Sequence, residues 1–584
     1  MNGLFVEARS ALHPLFSRPL SCLALIAVVA IAACRESPAP RPPTGVDVQH
    51  YDLALRLDPA TRALQAHVVL DVRHPDSLTA LPLAFEALTI DTVRVNGVAV
   101  VPERRGSRLW VPLSAGQRAS QVEVIYHGTP QRGLYSAAHG SQQVVYTDSW
   151  PDHGSGWLPG LHHPADPATF ALRLTLPLGY EAAASGRLLT VDTLGAEVRY
   201  RWRLDVPAPI YTFAFAVADF SLTEDAVADT LPVRYYMLAE DSARVVQLRR
   251  TPQALAFFSD LLGPYPFAGY ASVQVPMRYA GMENASASFL QAALFQTDEA
   301  EAVQIHELAH QWFGNRVPLA DWSDLWLSEG MATYLATLFY EHTDGLDDAR
   351  RQWVAMAALS SSRQRTHTAL VVQKPLSPEA YLTWVSYEKG ASVLHLLRRT
   401  LGDEAFFSAL RTAYRRFAGR PLSTEAFWRL LEAETGRDLE AFFSYWVYGD
   451  DLPRLRTTWD PATRILSWAI TGDSGTLAGV PFDLQLRQRG RVRYVEVGDG
   501  AVMLSEWDET RPEVRPVGGD DAGGMRGSRW PQRSSRSIWK DEFTACFVLR
   551  RRWPNTQYEV CTTSYETHPR RIVLIHRPSS RYRQ

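Results

Sequence analysis

Cysteine is almost absent from this chain of 584 residues. The four that occur are Cys22, Cys34, Cys546 and Cys561, and none lies in residues 35–545. A fold built on that central range therefore does not depend on disulfides. The formal net charge is also small, at −3. The chain as a whole lacks the basic footprint of a nucleic-acid-binding protein, so we expect no nucleic-acid partner.

The start of the chain predicts an export signal. Leu20–Ala33 is apolar apart from Ser21, which is too short for an ordinary membrane span and suits the apolar core of a signal peptide. The run ends Ile31-Ala32-Ala33-Cys34, which resembles the bacterial lipoprotein signal box. We expect residues 1–34 to be a lipoprotein signal with Cys34 as the lipidated residue. The alternative is an ordinary secretory signal with a chance cysteine.

The next residues suit a tether between a lipid anchor and a folded body. Residues 35–44 are rich in proline, which favours an extended chain. The predicted location is the bacterial cell envelope, with membrane attachment through Cys34. In a Gram-negative organism, Arg35 after the lipidated cysteine favours the outer membrane.

The length and the hydrophobic fraction of 46% predict several packed domains. Residues 45–220 show alternating apolar positions, as in Tyr51, Leu53, Leu55 and Leu57, which indicates a β-sandwich or open sheet. One further strand of this region is expected over Tyr211–Ala216. Long amphipathic segments, among them Thr251–Leu262, Ala300–Phe313 and Thr424–Thr435, mark 221–450 as mainly helical. Short strands return over 451–517 as a small β module, and 518–584 is a basic linker and tail. The predicted fold class is therefore multidomain α+β.

The strongest chemical motif is His306-Glu307-Leu308-Ala309-His310, which fits H-E-x-x-H. On a helix, positions four apart share one face, so both imidazoles can reach one metal ion. Glu329 follows His310 with 18 residues between them, early in a second apolar helix. Two histidines, a glutamate and an open position are a catalytic zinc arrangement, whereas structural zinc usually has four protein ligands. The alternative is an exposed helix face with two satisfied histidines.

Three patterns together resemble the aminopeptidase N family of gluzincin metallopeptidases, which also includes the leukotriene hydrolase. They occur in the family's order: Ala280-Gly281-Met282-Glu283-Asn284, then H-E-x-x-H with Glu329, then Tyr387-Glu388-Lys389-Gly390. The resemblance runs from about His50 to about Val517. It implies a saddle-like β domain, a thermolysin-like catalytic domain and one Zn²⁺.

The resemblance also implies roles for the metal site. Zinc is held by His306, His310 and Glu329. Glu307 is the general base that activates water and then the acid that protonates the leaving amine. Tyr387 stabilises the oxyanion. The alternative for Tyr387 is an ordinary core tyrosine.

Further implied roles concern the substrate, a peptide with a free N-terminus. Glu283 binds the α-ammonium, which makes the enzyme an aminopeptidase, and the alternative is a solvated loop acid. Gly281, Met282 and Asn284 lie beside the substrate. Asp148 is the candidate for a second amine-binding residue in the β domain, with Asp152 behind it.

The sequence departs from the family pattern at three places. Ala280 stands where the family usually has glycine, which affects the expected backbone geometry. Ala336 stands where the family often has a glutamate, so support for the metal ligands must come from elsewhere. No large helical C-terminal domain is predicted, which favours a more open site.

Two other function classes remain open. The first is a catalytically inactive, lipid-anchored binding protein on the same scaffold, against which the retention of Glu307, Glu283 and Tyr387 argues. The second is another zinc hydrolase, such as an endopeptidase or an epoxide hydrolase. Cleavage of free and N-acetylated peptides distinguishes these from an aminopeptidase.

Overall fold

A computed structural model describes residues 45–516, with gaps at 229, 298, 346–368, 373–375, 451–453, 473–474, 477–481, 489–490, 498–500 and 504–512. The predicted signal peptide, Cys34, the tether and the tail 518–584 lie outside the described residues. No helix within the described ranges has the length and apolar character that crossing a membrane requires.

The N-terminal region consists of strands, as predicted. Its largest sheet has eight strands in the order β13-β14-β11-β1-β2-β8-β4-β5, beside a sheet β12-β15-β10-β9 and a sheet β3-β7-β6. The strands are β1 Asp47–Leu57, β2 Leu64–Arg73, β3 Ala80–Ala84, β4 Thr89–Val95, β5 Val98–Val100, β6 Glu103–Arg105, β7 Arg108–Pro112, β8 Ala119–Gly128, β9 Leu134–His139, β10 Gln142–Thr147, β11 Pro167–Pro177, β12 Glu181–Ala184, β13 Arg187–Leu194, β14 Glu197–Pro209 and β15 Phe215–Ala218.

The alternating apolar side chains of β1 are buried, as predicted. Tyr51, Leu53, Leu55 and Leu57 are all buried, because successive side chains of a strand point to opposite faces of its sheet. β1 pairs antiparallel with β2 and parallel with β11. One sequence interpretation was wrong. The predicted strand over 211–216 begins instead with a 3₁₀ turn, Ile210–Thr212.

The following region combines one sheet with helices. Its five-stranded sheet runs β16-β17-β18-β20-β19. The strands are β16 Phe220–Val227, β17 Leu231–Leu238, β18 Tyr270–Val275, β19 Gly281–Met282 and β20 Ala287–Gln291. The helices are α1 Thr251–Leu262, α2 Ala300–Ala309, α3 Trp326–Asp344, α4 Gly390–Leu401, α5 Asp403–Phe417, α6 Thr424–Thr435 and α7 Glu440–Trp446. The predicted helices at 251–262 and 424–435 are confirmed residue for residue.

One hydrophobic core joins the helices to the β region. Trp150 and Tyr211, which come from the β region, are buried in the same cluster as Trp322 and Leu335 of the helical region. A second cluster fills the interior of the large β region. The segments around Trp150 and Tyr211 are therefore packed against the elements that carry the H-E-x-x-H motif.

The described residues near the C-terminus again form strands, namely β21 Arg454–Asp460, β22 Ile465–Gly472, β23 Gly475–Thr476, β24 Phe482–Gln488, β25 Arg491–Val497, β26 Ala501–Met503 and β27 Glu513–Pro516. The predicted absence of a large helical C-terminal domain stays a prediction.

Candidate active site

The two histidines of the motif meet at the end of α2. His306 lies in the last turn and His310 directly follows the helix. Because they are four residues apart, their rings share one face, and their Nε2 atoms are 3.1 Å apart. The helix ends earlier than the sequence predicted, at Ala309 rather than Phe313.

Glu329 completes a group of three ligand atoms. It lies in the first turn of α3, and its Oε2 is 3.3 Å from the Nε2 of both His306 and His310. Atoms that bind one tetrahedral zinc at about 2.0–2.2 Å lie about 3.3–3.6 Å from one another. The observed separations are close to that range. The three residues therefore fit a single zinc ion with one coordination position left open.

The outer nitrogens of both rings have partners that set their orientation. Ser328 Oγ lies 3.0 Å from His310 Nδ1, and Thr333 Oγ1 lies 3.4 Å from His306 Nδ1. Gly314 has a φ of +123°, and a Cβ there would lie 2.6 Å from Ser328 Oγ. The hydroxyls of α3 thus provide the support for the ligands that Ala336 does not.

Burial and neighbouring charges set the ionisation of the acids. Burial raises the pKa of Glu307 well above its usual range and raises that of Glu283. Burial also favours the neutral form of Glu329, but His310 and His306 overcome it and lower its pKa to about 2. Glu329 is therefore anionic, which is the form that binds a metal cation.

Gly281 lies against Glu307. β19 contains Gly281 and pairs antiparallel with β20, which places its backbone over the glutamate. A Cβ at this position would overlap the Glu307 carboxylate, so only glycine fits without a shift. The preceding Ala280 does not adopt a positive φ, and its carbonyl accepts a hydrogen bond from Gln291 N. Replacement of the family's glycine therefore introduces no backbone strain here.

Glu283 and Asn284 follow Met282 into the interior. The Glu283 carbonyl accepts hydrogen bonds from Asn315 Nδ2 at 2.7 Å and Gln311 Nε2 at 3.2 Å. Its side chain is 6% exposed. Glu283 is thus a buried acid, contrary to the alternative of a solvated loop residue. Asn284 is buried too, and its Nδ2 has no partner within the described part of the chain.

Tyr387 reaches the metal ligands from a π-helical turn, Val385–Lys389, that leads into α4. Its ring stacks on His306 with centroids 5.8 Å apart, and burial together with the nearby charge of Glu329 raises the pKa of its hydroxyl. A pair of glycines makes this approach possible. A Cβ on Gly330 would lie 2.8 Å from Gly390 Cα, so the two backbones pack directly together. This contact lies one residue from Glu329 and three residues from Tyr387.

Asp148 lies just beyond the end of β10. It is 7% exposed, and its Oδ1 has no hydrogen-bond partner among the described residues. Burial raises its pKa to about 6, although the Trp150 N–H and the charge of Arg278 oppose that shift. The structure places Asp148 near Arg278, on the segment that leads to Gly281. Asp152 is instead paired with Arg132, at 2.5 Å.

Sequence reasoning missed Ser328, Thr333 and the Gly330–Gly390 contact as parts of this site. Ser328 directly precedes Glu329, and Thr333 follows it by one helical turn. These positions in the sequence could have indicated that the two hydroxyls support the histidine ligands.

Comparisons with known proteins agree with this geometry. Residues 246–446 match the family described as "Peptidase family M1 domain". The crystal structure of an M1 zinc metallopeptidase from Deinococcus radiodurans is 31% identical, with a TM-score of 0.65, over 71% of this chain and 96% of that chain. The chain belongs to peptidase family M1. The resemblance stated from the sequence motifs and the assignment of zinc as cofactor are thereby confirmed.

Two curated M1 relatives extend the comparison. "Aminopeptidase M1-C" of Oryza sativa subsp. japonica is 26% identical over 69% of this chain and 50% of its own length. "Leukotriene A-4 hydrolase" of Xenopus laevis is 26% identical over 67% of this chain and 68% of its own length. The chain spans about half the length of the first curated relatives it matches. The M1 neighbour agrees with a β-rich N-terminal region followed by a helical catalytic region.

Proposed function

We propose that this protein is a zinc-dependent aminopeptidase, which removes the first residue of peptides that have a free N-terminus. The observation that carries the proposal is Glu283, a buried carboxylate beside the three metal ligands and the general base. Its electrostatic coupling to both His310 and Glu329 supports its position at the same centre. The named aminopeptidase relative supports the same reaction class.

Each residue of the site has a separate role in the reaction. Zinc held by His306, His310 and Glu329 would supply a Lewis acid that polarises the scissile carbonyl and activates water. Glu307 accepts the proton of the attacking water and delivers it to the departing amine. Burial raises its pKa, which is the direction that helps a carboxylate to accept a proton and to hold it until the amine departs.

Tyr387 stabilises the developing oxyanion. Its hydroxyl is a preorganised donor, held beside Glu329 by the stacking on His306 and by the packing of Gly330 on Gly390. Such donors act on charge that appears only in the transition state, which is why they accelerate the chemical step. The π-helical turn aims the hydroxyl at this point.

Glu283 decides which bond is cleaved. An anionic carboxylate inside the site pairs with the α-ammonium of the substrate, so the first peptide bond is brought to the reacting groups. An internal segment of a peptide offers no cation to this carboxylate and leaves it unpaired. The arrangement thus favours removal of one residue from the N-terminus.

A Glu283→Gln variant tests this role. We expect kcat/KM for a free peptide to fall about 10- to 150-fold, because a hydrogen bond to a charged group is worth about 1.5–3 kcal/mol. The assay compares a free peptide with its N-acetylated form, in both wild-type and variant protein. Wild-type protein should cleave the free peptide and leave the acetylated one intact.

The matched control is Glu404→Gln, the same substitution at an exposed position of α5, which should leave kcat/KM unchanged. Equal cleavage of free and acetylated peptides by the wild-type protein would contradict the aminopeptidase assignment. A zinc chelator should abolish cleavage by every variant.

A second candidate is epoxide hydrolysis, which is favoured by the match to a relative named leukotriene A-4 hydrolase. The same zinc ligands could serve that chemistry. Turnover of a fatty-acid epoxide in the absence of peptide cleavage would select this alternative.

We also propose that the protein is anchored in the bacterial envelope by lipid on Cys34. The support is the segment Ile31-Ala32-Ala33-Cys34 and the proline-rich stretch that follows. Replacement of Cys34 by Ser is expected to move the protein from the membrane fraction to the soluble fraction. Mass spectrometry of the mature N-terminus checks this, with Cys546→Ser as the control. A mature chain that begins elsewhere and carries no lipid would contradict the proposal.

A further inference from the structure

The segment 276–280 joins β18 to β19 and leads directly into the active site. The next residue, Gly281, lies against the Glu307 carboxylate, and Glu283 follows two residues later. From Glu283 to Gly281 the chain therefore passes from the group proposed to bind the substrate amine to the group proposed to activate water. A peptide that lies along this line continues past residues 280, 279 and 278 after the bond that is cleaved.

The backbone of this segment is held by one glutamine of β20. Gln291 Nε2 donates to the Met277 carbonyl at 3.0 Å and to the Arg278 carbonyl at 3.3 Å. The backbone N–H of Gln291 donates to the Ala280 carbonyl at 2.9 Å. Because three carbonyls of the segment are bonded to the same residue, its side chains are presented from a fixed backbone.

The side chain of Arg278 rests on an aromatic ring beside the site. Its Cζ lies 5.5 Å from the centroid of the Tyr279 ring, and that ring packs edge to face against Trp150 with centroids 6.5 Å apart. Trp150 is 4% exposed, so the support under the guanidinium is part of the core. Ala280 is exposed and has only a methyl group, which leaves room for a peptide between Gly281 and the guanidinium.

Arg278 is exposed and available to a ligand. Within the described residues no acid forms a salt bridge with it, and Asp148, although near, leaves its Oδ1 without a hydrogen-bond partner. A guanidinium that lies flat on a ring keeps its in-plane N–H groups free. Those groups match the two oxygens of a carboxylate in a bidentate pair.

The charges along the segment are complementary to a short peptide. Such a peptide has a cation at its N-terminus and an anion at its C-terminus. Glu283 offers an anion to the first, and Arg278 offers a cation to the second. The acids Glu307 and Glu329 lie between them at the reacting centre and repel a carboxylate, which favours its placement at the distant end of the segment.

The distances suit a tripeptide. An extended chain advances 3.3–3.6 Å per residue, so the C-terminal carboxyl carbon of a tripeptide lies about 7 Å beyond the carbonyl that is attacked. Gly281 and Arg278 are three residues apart, which corresponds to at most about 10 Å. The Arg278 side chain folds back over Tyr279 and shortens this gap. The carboxylate of a dipeptide, at about 3.5 Å, stays close to the reacting centre.

We propose that Arg278 binds the C-terminal carboxylate of tripeptide substrates and thereby gives the protein a preference for short peptides with a free C-terminus. The proposal rests on the aminopeptidase function proposed above. It makes Arg278 a substrate-binding residue with no part in the chemical step. Its removal should therefore act on KM and leave kcat almost unchanged.

The test compares Leu-Gly-Gly with its C-terminal amide on the zinc-loaded full-length protein, with release of leucine as the assay. In wild-type protein we expect the KM of the amide to be about fivefold higher, as for loss of one partly exposed ion pair. In Arg278→Gln the KM of the acid should rise to that of the amide, and kcat should change less than about twofold. The matched control is Arg437→Gln, the same substitution at an exposed arginine after α6, which should keep the wild-type ratio.

Peptide length provides a second readout. In the pentapeptide Leu-Gly-Gly-Gly-Gly the carboxylate lies about 7 Å further from the cleaved bond, beyond the reach of Arg278. The wild-type protein should therefore cleave the pentapeptide and its amide with equal KM. A fivefold preference for the pentapeptide acid would contradict recognition of a carboxylate at this position.

The outcomes separate this inference from the proposed function. If wild-type protein releases leucine from neither tripeptide, the aminopeptidase proposal fails, and the role of Arg278 fails with it. If wild-type protein cleaves the acid and the amide with equal KM, or if Arg278→Gln keeps the preference for the acid, the role of Arg278 is refuted while the aminopeptidase function stands. Because the readout is a ratio of two substrates on one protein sample, partial unfolding does not change it.

Discussion

Replacing Glu307 with Gln is expected to lower kcat by about 10²- to 10⁴-fold, the contribution of a positioned general base. Gln has the same shape and fits beneath Gly281, where a side chain on residue 281 would overlap the carboxylate. It cannot accept the proton of the attacking water. The loss should therefore fall on the chemical step, with little change in the binding of substrate.

Zinc content distinguishes this effect from damage to the metal site. Glu307 lies next to His306 but outside the group of three ligand atoms, so the variant should still bind one zinc per chain. Steady-state kinetics and elemental analysis measure the two quantities on the same sample. The control is Glu299→Gln, an exposed position at the start of α2. Full activity of Glu307→Gln would remove Glu307 from the mechanism. Ligand binding without turnover in wild-type protein would favour the inactive binding protein.

Replacing Glu329 with Gln is expected to weaken zinc binding by more than about 100-fold and to abolish activity with it. Loss of a residue that only supports a ligand weakens metal binding by about 10- to 100-fold, and Glu329 is itself a ligand. The substitution removes the one anionic residue among the three ligands, leaving two neutral imidazoles to hold a divalent cation. The lowered pKa of the Glu329 carboxyl means that this anion is present throughout the neutral pH range.

The control is a variant that removes a residue supporting a ligand and leaves all three ligands in place. Thr333→Val removes the hydroxyl 3.4 Å from His306 Nδ1 and should weaken zinc binding much less than Glu329→Gln. Titration in zinc buffers gives both affinities. Added zinc should also raise the melting temperature of the wild-type protein but not that of Glu329→Gln, since only a ligand that binds the folded state stabilises it. Equal zinc affinity in the wild type and Glu329→Gln would exclude Glu329 as a ligand.

Local patterns predicted the elements well where a single segment buries one face. The alternation of β1 and the amphipathic patterns of α1 and α6 reflect contacts repeated every two or every three to four residues, which the sequence displays directly. The patterns failed where a segment changes conformation. The run at 211–216 is apolar enough for a strand, yet its first residues form a 3₁₀ turn that buries Tyr211 against the helical region.

For the candidate site, too, some residues could be identified from local sequence patterns and others could not. The sequence by itself determined the choice of His306, His310 and Glu307, because residues one and four apart on one helix have a fixed spatial relation. The position of Glu329 early in a second apolar helix made it the expected third ligand, and the motif resemblance added Tyr387 and Glu283.

Only the tertiary structure decided what those residues touch. The contact of Ser328 with His310 and the backbone contact of Gly330 with Gly390 both join segments far apart in the chain, and the burial of Asp148 depends on such packing. Such contacts depend on how whole elements pack, and residue spacing does not encode the distance between two packed elements. The identity of the ligands was therefore readable in the sequence, whereas the contacts that support those ligands across the fold were not.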